Sequence, residues 1–466
     1  MPPPHLAIHL TGGSPNQPAL EGNAIFPMTD STSLSTTALA SRKRHRALPH
    51  ILWLFWFGEL LLSALTWITT AYFRDIRHLD TYPYSSPFFQ AYSYHFDFLV
   101  FKNRFHLFHQ TAFYAPLNWP FNYPAPIALI YKVFYSTGPH SLGIFLGFSD
   151  LAFTMAAGLF ARALVKRGIA LRSAILFTAP ILLLSYPVML QLFLANMEVM
   201  VFVVLALGLW AYATGRGYLA AACFGLAASM KLFPFVYLGL TLAKKQYKQL
   251  FFGISVLLAT SIASLWILGP TIGIAYRGIQ AGVTAFENIY IFQFNPMESG
   301  MDHSLFALLK LPFVVIQRPH AFHRIIVPYL VIAAVAGILA YFLRIRNLPP
   351  VNQVLSISVA SVLLPPVSHD YTLLHMYAPW AMLTLFAVDS LCHTPYRRAV
   401  SVALTCFLIL FTAQNYLITQ DVRFAGQMKC LALLVLFFIA LRYPFERQQR
   451  DTHPRELRVP RTAAIP

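Results

Sequence analysis

After a polar opening over residues 1–49, the chain alternates between long apolar runs and short polar connections. Apolar runs lie at about 50–72, 141–165, 170–188, 195–214, 217–229, 231–244, 248–268, 325–343, 351–366, 372–391, 398–417 and 426–443. Roughly 20 apolar residues in helical form cross a bilayer core about 30 Å thick, so these runs predict membrane-spanning helices. Two longer segments of mixed character, 73–140 and 269–324, interrupt them. The pattern predicts an all-α, polytopic transmembrane helical bundle of about 12 spans, with interfacial helices in a long first outer loop. The runs 217–229 and 231–244 are each too short to cross a full bilayer upright. Segments 125–137 and 304–317 are expected to be interfacial or re-entrant.

Composition supports a membrane protein. Only 11% of the 466 residues are charged and 57% are hydrophobic, whereas a soluble domain carries about 25% charged residues. A surface so poor in charge faces lipid. The net charge of +17 could suggest nucleic acid, but the basic residues gather at the ends of runs: Arg42, Lys43, Arg44 and Arg46; Lys166 and Arg167; Lys244, Lys245 and Lys248; Arg344 and Arg346; Arg397 and Arg398. That is the positive-inside distribution, which places these ends and both termini in the cytoplasm and argues against a nucleic-acid partner. Residues 1–49, rich in Pro, Ser and Thr and without an apolar h-region, are expected to be a disordered cytoplasmic tail rather than a cleaved signal. Residues 50–443 form the transmembrane domain, and 444–466 a basic cytoplasmic tail. Cys223, Cys392, Cys406 and Cys430 lack metal-ligand spacing and read as packing residues. No P-loop, Rossmann fingerprint, HExxH or Cys–His zinc pattern occurs, which argues against a nucleotide-consuming enzyme.

Charge parity puts both mixed segments and the turn at 366–371 on the outer side. Most acids follow: Asp75, Asp80, Asp97, Glu287, Glu298, Asp302, Asp370 and Asp421. Depletion of outer bases makes them conspicuous, but it does not explain why they recur beside His and aromatic residues. Tyr94-His95-Phe96-Asp97-Phe98 sets a carboxylate among aromatics, which is costly at an interface unless paired or wet. Downstream, Phe98, Phe101, Phe105 and Phe108 share one helical stripe, and Lys102, His106 and His109 the next. This suits a helix in the interface plane with its aromatics in lipid and its cations near a lipid phosphate; an ordinary amphipathic surface helix has the same pattern. Asn118-Trp119-Pro120-Phe121-Asn122-Tyr123-Pro124-Ala125-Pro126 cannot be regular helix, and at membrane depth such backbone is buried or lines a cavity. Glu298-Ser299-Gly300-Met301-Asp302-His303-Ser304-Leu305 and Pro365-Pro366-Val367-Ser368-His369-Asp370-Tyr371 each set His beside Asp, as a general base, a phosphate ligand or a solvated turn would. Within the runs, Glu59, Asp150, Asn196, Glu198 and Lys231 are functional candidates or interhelical hydrogen-bonding groups.

In their order and spacing, several of these elements resemble glycosyltransferase family 87, membrane glycosyltransferases of the C-type fold. The likeness lies in Asp97-Phe98 followed by Tyr123-Pro124-Ala125-Pro126, then Gln191 with Asn196. It continues with Gly215-Arg216-Gly217 leading through an Ala-rich helix to Lys231-Leu232-Phe233-Pro234, then Ser304-Leu305, then the late motif at 365–371. The late motif departs from the family pattern: Pro365-Pro366 replaces Ser-Pro, and His369-Asp370 stands where Trp-x-His is usual, so His369 is taken as the family histidine.

The resemblance implies an inverting, polyprenyl-phosphate-dependent hexosyltransferase, with mannose the family's commonest sugar. It would act at the outer face of the cell membrane on a glycolipid or glycan acceptor. Asp97 would be the general base and His369 a second catalytic group. Lys102, Arg104 and His109 would meet the donor phosphate, and Tyr123, Asn196, Lys231, His303 and Asp370 would line the substrate cavity. Cations can stabilise a lipid-phosphate leaving group, so neither metal nor other cofactor is required. Two other readings stand beside it. One is a secondary transporter or flippase of lipid-linked sugars, which would bind near the bilayer midplane on broken helices. The other is a noncatalytic membrane scaffold.

Overall fold

In a computed structural model, residues 47–78, 95–114, 121–293, 300–316, 318, 321–390, 396–413, 417–419 and 422–446 are described. The tails expected over 1–49 and 444–466 lie almost wholly outside these residues, as do 118–120 and 298–299. The chain is a polytopic helical bundle. Its first half comprises α1 (His50–Ala71), the single turn α2 (Phe96–Leu99), α3 (Ala125–Tyr135), α4 (Ser141–Val165), α5 (Leu171–Leu183), α6 (Tyr186–Leu194), α7 (Glu198–Ala213) and α8 (Gly217–Met230). Then come α9 (Leu238–Ala243), α10 (Tyr247–Leu268), α11 (Ile272–Tyr290), α12 (Leu305–Val315), α13 (Phe322–Leu343), α14 (Pro350–Leu363), α15 (Tyr377–Ser390), α16 (Arg397–Phe411) and α17 (Ala425–Arg442), with a small antiparallel pairing of β1 (Leu417–Thr419) and β2 (Val422–Arg423) before α17.

Among the described residues, six helices are long and apolar enough to cross a membrane, or seven if α5 and α6, bent by 46° at their junction, form one span. The sequence pattern predicted about 12. The difference lies in length: α3, α7, α8, α12, α14 and the stretch Phe233–Ala243 are apolar but only 10–17 residues long. At 1.5 Å per residue these reach about 15–25 Å, short of a full hydrocarbon core. Close backbone contact seats some of them. A Cβ at Gly225 of α8 would lie 2.1 Å from the carbonyl oxygen of Gly253 on α10, the kind of small-residue contact that lets membrane helices approach closely.

The helix ends grouped by charge parity do meet in pairs. Arg167, after α4, is 3.1 Å from Asp389 at the end of α15. Lys244 Nζ donates to the Tyr212 carbonyl at 2.9 Å, and Arg344 Nε to that of Leu441 at 3.0 Å. At the other grouped sites, Asp302 and His369 form an antiparallel bridge. The second mixed segment therefore touches the 366–371 turn.

One local expectation fails. The segment after Asp97 is not a single interfacial helix with aromatics in lipid. It breaks at Val100–Phe101 into 3-10 turns over Lys102–Leu107 and Thr111–Tyr114, and Phe98, Phe101 and Phe105 are buried. Phe98 stacks on Phe145 at 4.9 Å, and Phe105 meets Tyr135 edge-on at 4.7 Å. Packing against α3 and α4 outweighs lipid exposure here, because aromatic pairs contribute beyond the area they bury.

Candidate active site

Two strained residues aim the first two groups. His95 has φ +57° and Ala195 φ +52°, left-handed values that disfavour a Cβ. His95 N–H donates to the Phe193 carbonyl at 2.7 Å, which ties the start of α2 to the end of α6. Asp97 lies two positions after His95, and Asn196 directly follows Ala195. Asn196 Nδ2 donates to Asp97 Oδ2 at 2.7 Å and to the Tyr123 hydroxyl at 3.2 Å. Its orientation is set from behind: Asn196 Oδ1 accepts from the Glu198 N–H at 2.8 Å, and Gln191 Nε2 donates to the Asn196 carbonyl. Tyr131 supports the Asp97 backbone, donating to its carbonyl at 2.9 Å. Burial, and then the Asp97 carboxylate, push the Tyr123 phenol well above its ordinary value, so it stays protonated.

These residues open on a cavity of about 230 Å³, whose lining includes Asp97, Tyr123, Tyr290, Met301, His369 and Tyr371. Apolar side chains, Leu190, Leu194, Phe286 and Ile289 among them, form the rest of the wall. The irregular 121–124 stretch lines it through Asn122 and Tyr123, as backbone of that kind must if it is not wholly buried. Pro124 caps α3, with Pro126 inside its first turn. The C-terminal turn of α11 supplies Phe286, Ile289 and Tyr290. That helix is seated by close approach at Gly278, where a Cβ would strike the Tyr114 ring, and at Gly282, where it would fall 1.9 Å from the Phe121 carbonyl oxygen. Lys310 Nζ donates to the Tyr290 carbonyl at 2.8 Å, placing a cation at the negative end of the α11 dipole.

Lys231 stands just behind this wall. The chain leaves α8 there in an extended conformation, ahead of Pro234. Lys231 Nζ pairs with Glu198 and lies 5.0 Å from the centroid of the Tyr371 ring. The other Glu198 oxygen meets His375 Nε2 at 2.8 Å.

Asp370 and His303 do not line the cavity, contrary to their expected place. Both are fully buried in a separate cluster, where Asp370 Oδ2 accepts from Lys429 Nζ at 2.6 Å and Oδ1 faces His303 Nδ1 at 3.3 Å. His303 Nε2 is 3.1 Å from the Ser368 hydroxyl, and Asp302 Oδ1 accepts from the Ser304 and Ser368 N–H groups at 2.9 and 3.0 Å. Burial, working against Asp370, pushes His303 below the usual histidine range. Neutral His303 thus donates from Nδ1–H to Asp370 and accepts at Nε2. Ser304 Oγ caps α12, accepting from Ala307 N–H at 3.0 Å. The cluster anchors the turn that presents His369 and Tyr371. Adjacent residues in that turn point to opposite sides, so Asp370 faces inward while its neighbours reach the cavity.

Lys102, Arg104 and His109 also lie outside the cavity lining. In a 3-10 turn, residues i and i+3 eclipse, which aligns Arg104 with buried Phe101. Arg104 is 5% exposed and its Nη1 has no partner among the described residues. His109 Nδ1 instead lies 3.1 Å from the Ile267 carbonyl. Sequence reasoning passed over Lys429 and His375. For Lys429 the signal was available: an ionisable residue inside an apolar run is a candidate by default. His375 sits near the motif at 365–371 but outside it.

The order of these elements along the chain is matched from outside. A model of glycosyltransferase family 87 covers residues 121–366, more than half of the chain, and takes in Tyr123, Asn196, Glu198, Lys231 and His303; Asp97 and His369 lie outside the matched residues. No curated protein and no solved structure matches the chain significantly. With a polytopic bundle, a largely apolar cavity that carries a carboxylate and a histidine, and this match, the chain belongs to glycosyltransferase family 87.

Proposed function

We propose that this membrane glycosyltransferase transfers a hexose, mannose by family resemblance, from a polyprenyl-phosphate donor to a hydroxyl of a lipid or glycan acceptor. The cavity faces the outer side of the cell membrane, with both termini in the cytoplasm. The observation that carries the reading is the Asp97 carboxylate at the cavity wall, held by Asn196 at 2.7 Å. As the acceptor oxygen bonds to the anomeric carbon, its proton passes to Asp97. The bond from that carbon to the phosphate oxygen breaks, and its electron pair leaves with the phosphate. One displacement of this kind inverts the anomeric centre. His369 at the wall, and Lys231 swinging past Tyr371, compensate the charge gained by the leaving phosphate. This role moves to them from Lys102, Arg104 and His109, and the scheme needs no metal. The apolar wall takes the first isoprene units.

The test is transfer by purified protein in lipid, with radiolabelled polyprenyl-phosphate mannose, a membrane-lipid acceptor extract and EDTA throughout. Wild type is expected to transfer, and Asp97→Asn to lose about 10²–10⁴-fold, the span of general-base contributions. Equal rates for the two proteins would remove Asp97 from the mechanism, and a retained anomeric configuration in the product would sink the single displacement. The bend between α5 and α6 and the buried Glu59 in α1 favour a flippase as the second reading. Labelled lipid-sugar crossing the bilayer with no transfer would select it.

A further inference from the structure

We infer that Glu198 is a built-in competitor for the product phosphate: it takes Lys231 back after each transfer and so drives release of the polyprenyl phosphate. The inference rests on the transfer reaction proposed above.

The geometry begins with an ion pair of unequal burial. The Lys231 side chain is 21% exposed, that of Glu198 not at all. Lysine's charge rides on a flexible four-carbon stem, and its ammonium already lies 5.0 Å from the centroid of the Tyr371 ring, a ring that lines the cavity. Glu198 is fixed. It occupies the first turn of α7, where the backbone N–H groups favour an anion, and its second oxygen stays with His375 Nε2 at 2.8 Å. A buried carboxylate stripped of its only cation would be strongly unfavourable. The hydrogen bond from His375 and the N-terminal turn of α7 both remain, so Glu198 keeps partners when Lys231 turns to the cavity. The other ring nitrogen, Nδ1, lies 3.5 Å from the Ser361 hydroxyl, which orients the imidazole.

The chemistry supplies the need. The donor is a phosphodiester with one negative charge, whereas the departing monoester carries about −1.5 to −2 at pH 7. A cation that stabilises the leaving group therefore binds the product more tightly than the substrate, and would hold it after the sugar has gone. A neighbouring carboxylate that reclaims the ammonium offsets this. Position couples the two halves of the site: the Glu198 N–H donates to Asn196 Oδ1 at 2.8 Å, and Asn196 holds Asp97.

The experiment measures binding of farnesyl phosphate to the full chain in lipid nanodiscs, together with its inhibition of transfer. Glu198→Gln keeps the shape of the side chain but loses the charge. It is expected to bind farnesyl phosphate about tenfold more tightly, the loss of one charge-assisted hydrogen bond on the competing side, and to show a burst of transfer followed by slow turnover. Glu198→Asp, which keeps the charge but retracts it from Lys231, is expected to shift affinity the same way by less. In a Lys231→Met background the Glu198→Gln gain should vanish. Affinity in Glu198→Gln equal to or weaker than wild type, or a gain that persists without Lys231, would overturn the exchange. The binding measurement needs no turnover. Absence of transfer by wild type therefore counts against the enzymatic reading, whereas unchanged affinity in an active Glu198→Gln enzyme counts against the exchange alone.

Discussion

Asn196 donates to the Asp97 carboxylate across 2.7 Å although 99 residues separate them in the chain. The same amide nitrogen reaches Tyr123, and the same residue's carbonyl side accepts from the Glu198 N–H. A single amide thus joins the proposed base, the irregular 121–124 stretch and the turn that carries Glu198. An aspartate whose hydrogen-bond partner is itself held from two directions keeps one orientation toward the cavity, which is what a general base requires.

Asn196→Ala is expected to leave Asp97 in the cavity wall but without that restraint. Transfer should fall by about 10²-fold, the cost of a misplaced catalytic group, with kcat rather than donor KM carrying the loss. Steady-state rates over a range of donor concentrations check it. A change in KM alone would make Asn196 a substrate contact instead.

Lys429→Met leaves the Asp370 carboxylate buried without its cation. Such a break costs about 3–5 kcal/mol, so the thermal transition in detergent is expected to fall steeply. Adding Asp370→Asn, which keeps an acceptor for His303, should recover most of the loss. If the double variant is no better than the single, the pair is not what holds the 366–371 turn.

pH probes the same cluster. Burial holds His303 below its ordinary value of 6.5. The unfolded chain therefore takes up the extra proton first as pH falls. The contribution of His303 to stability is complete above about pH 6.5 and declines below it, toward the lowered folded value. His303→Gln should flatten the part of the stability profile that lies below about pH 6.5, measured as the difference in unfolding temperature from wild type across the range.

Gly282→Ala brings a Cβ to 1.9 Å from the Phe121 carbonyl oxygen, a backbone atom that cannot swing aside. Displacing α11 shifts Phe286 and Tyr290 in the cavity wall, so donor KM should rise and stability should drop by about 1–3 kcal/mol, as overpacking usually costs. Gly273→Ala, at a position with open space around it, is the control and should change neither.

Ala195→Gly removes the Cβ from a left-handed position at φ +52°. The strain relieved is about 1–2 kcal/mol, set against the greater freedom of glycine in the unfolded chain. Stability should hold or rise slightly with transfer intact. Ala195→Val should lower both, as read by unfolding temperature and by transfer rate.

Much of this protein is determined by its sequence alone. Apolar runs must leave water, and within lipid every backbone group must find its partner inside the helix. The all-α polytopic class therefore follows from composition and run length. Asp97, Tyr123 and His369, which line one cavity, and Asn196, which bonds to the first two, stood out in the sequence as candidates, because polar groups among aromatics are tolerated only where something offsets their burial. Tertiary structure decided the rest. Whether an apolar run of 10–17 residues spans, bends or re-enters depends on its neighbours, not on its own hydropathy, so the span count could not be read from the runs. Whether the Phe98–Phe108 stripe faces lipid or protein depends on α3 and α4 arriving beside it. Which way adjacent polar residues point is set by local backbone and distant partners: His369 to the cavity, Asp370 inward to Lys429, which follows it by 59 positions. A one-dimensional pattern states which residues cannot face lipid unaided; only the packed chain settles which partner each one finds.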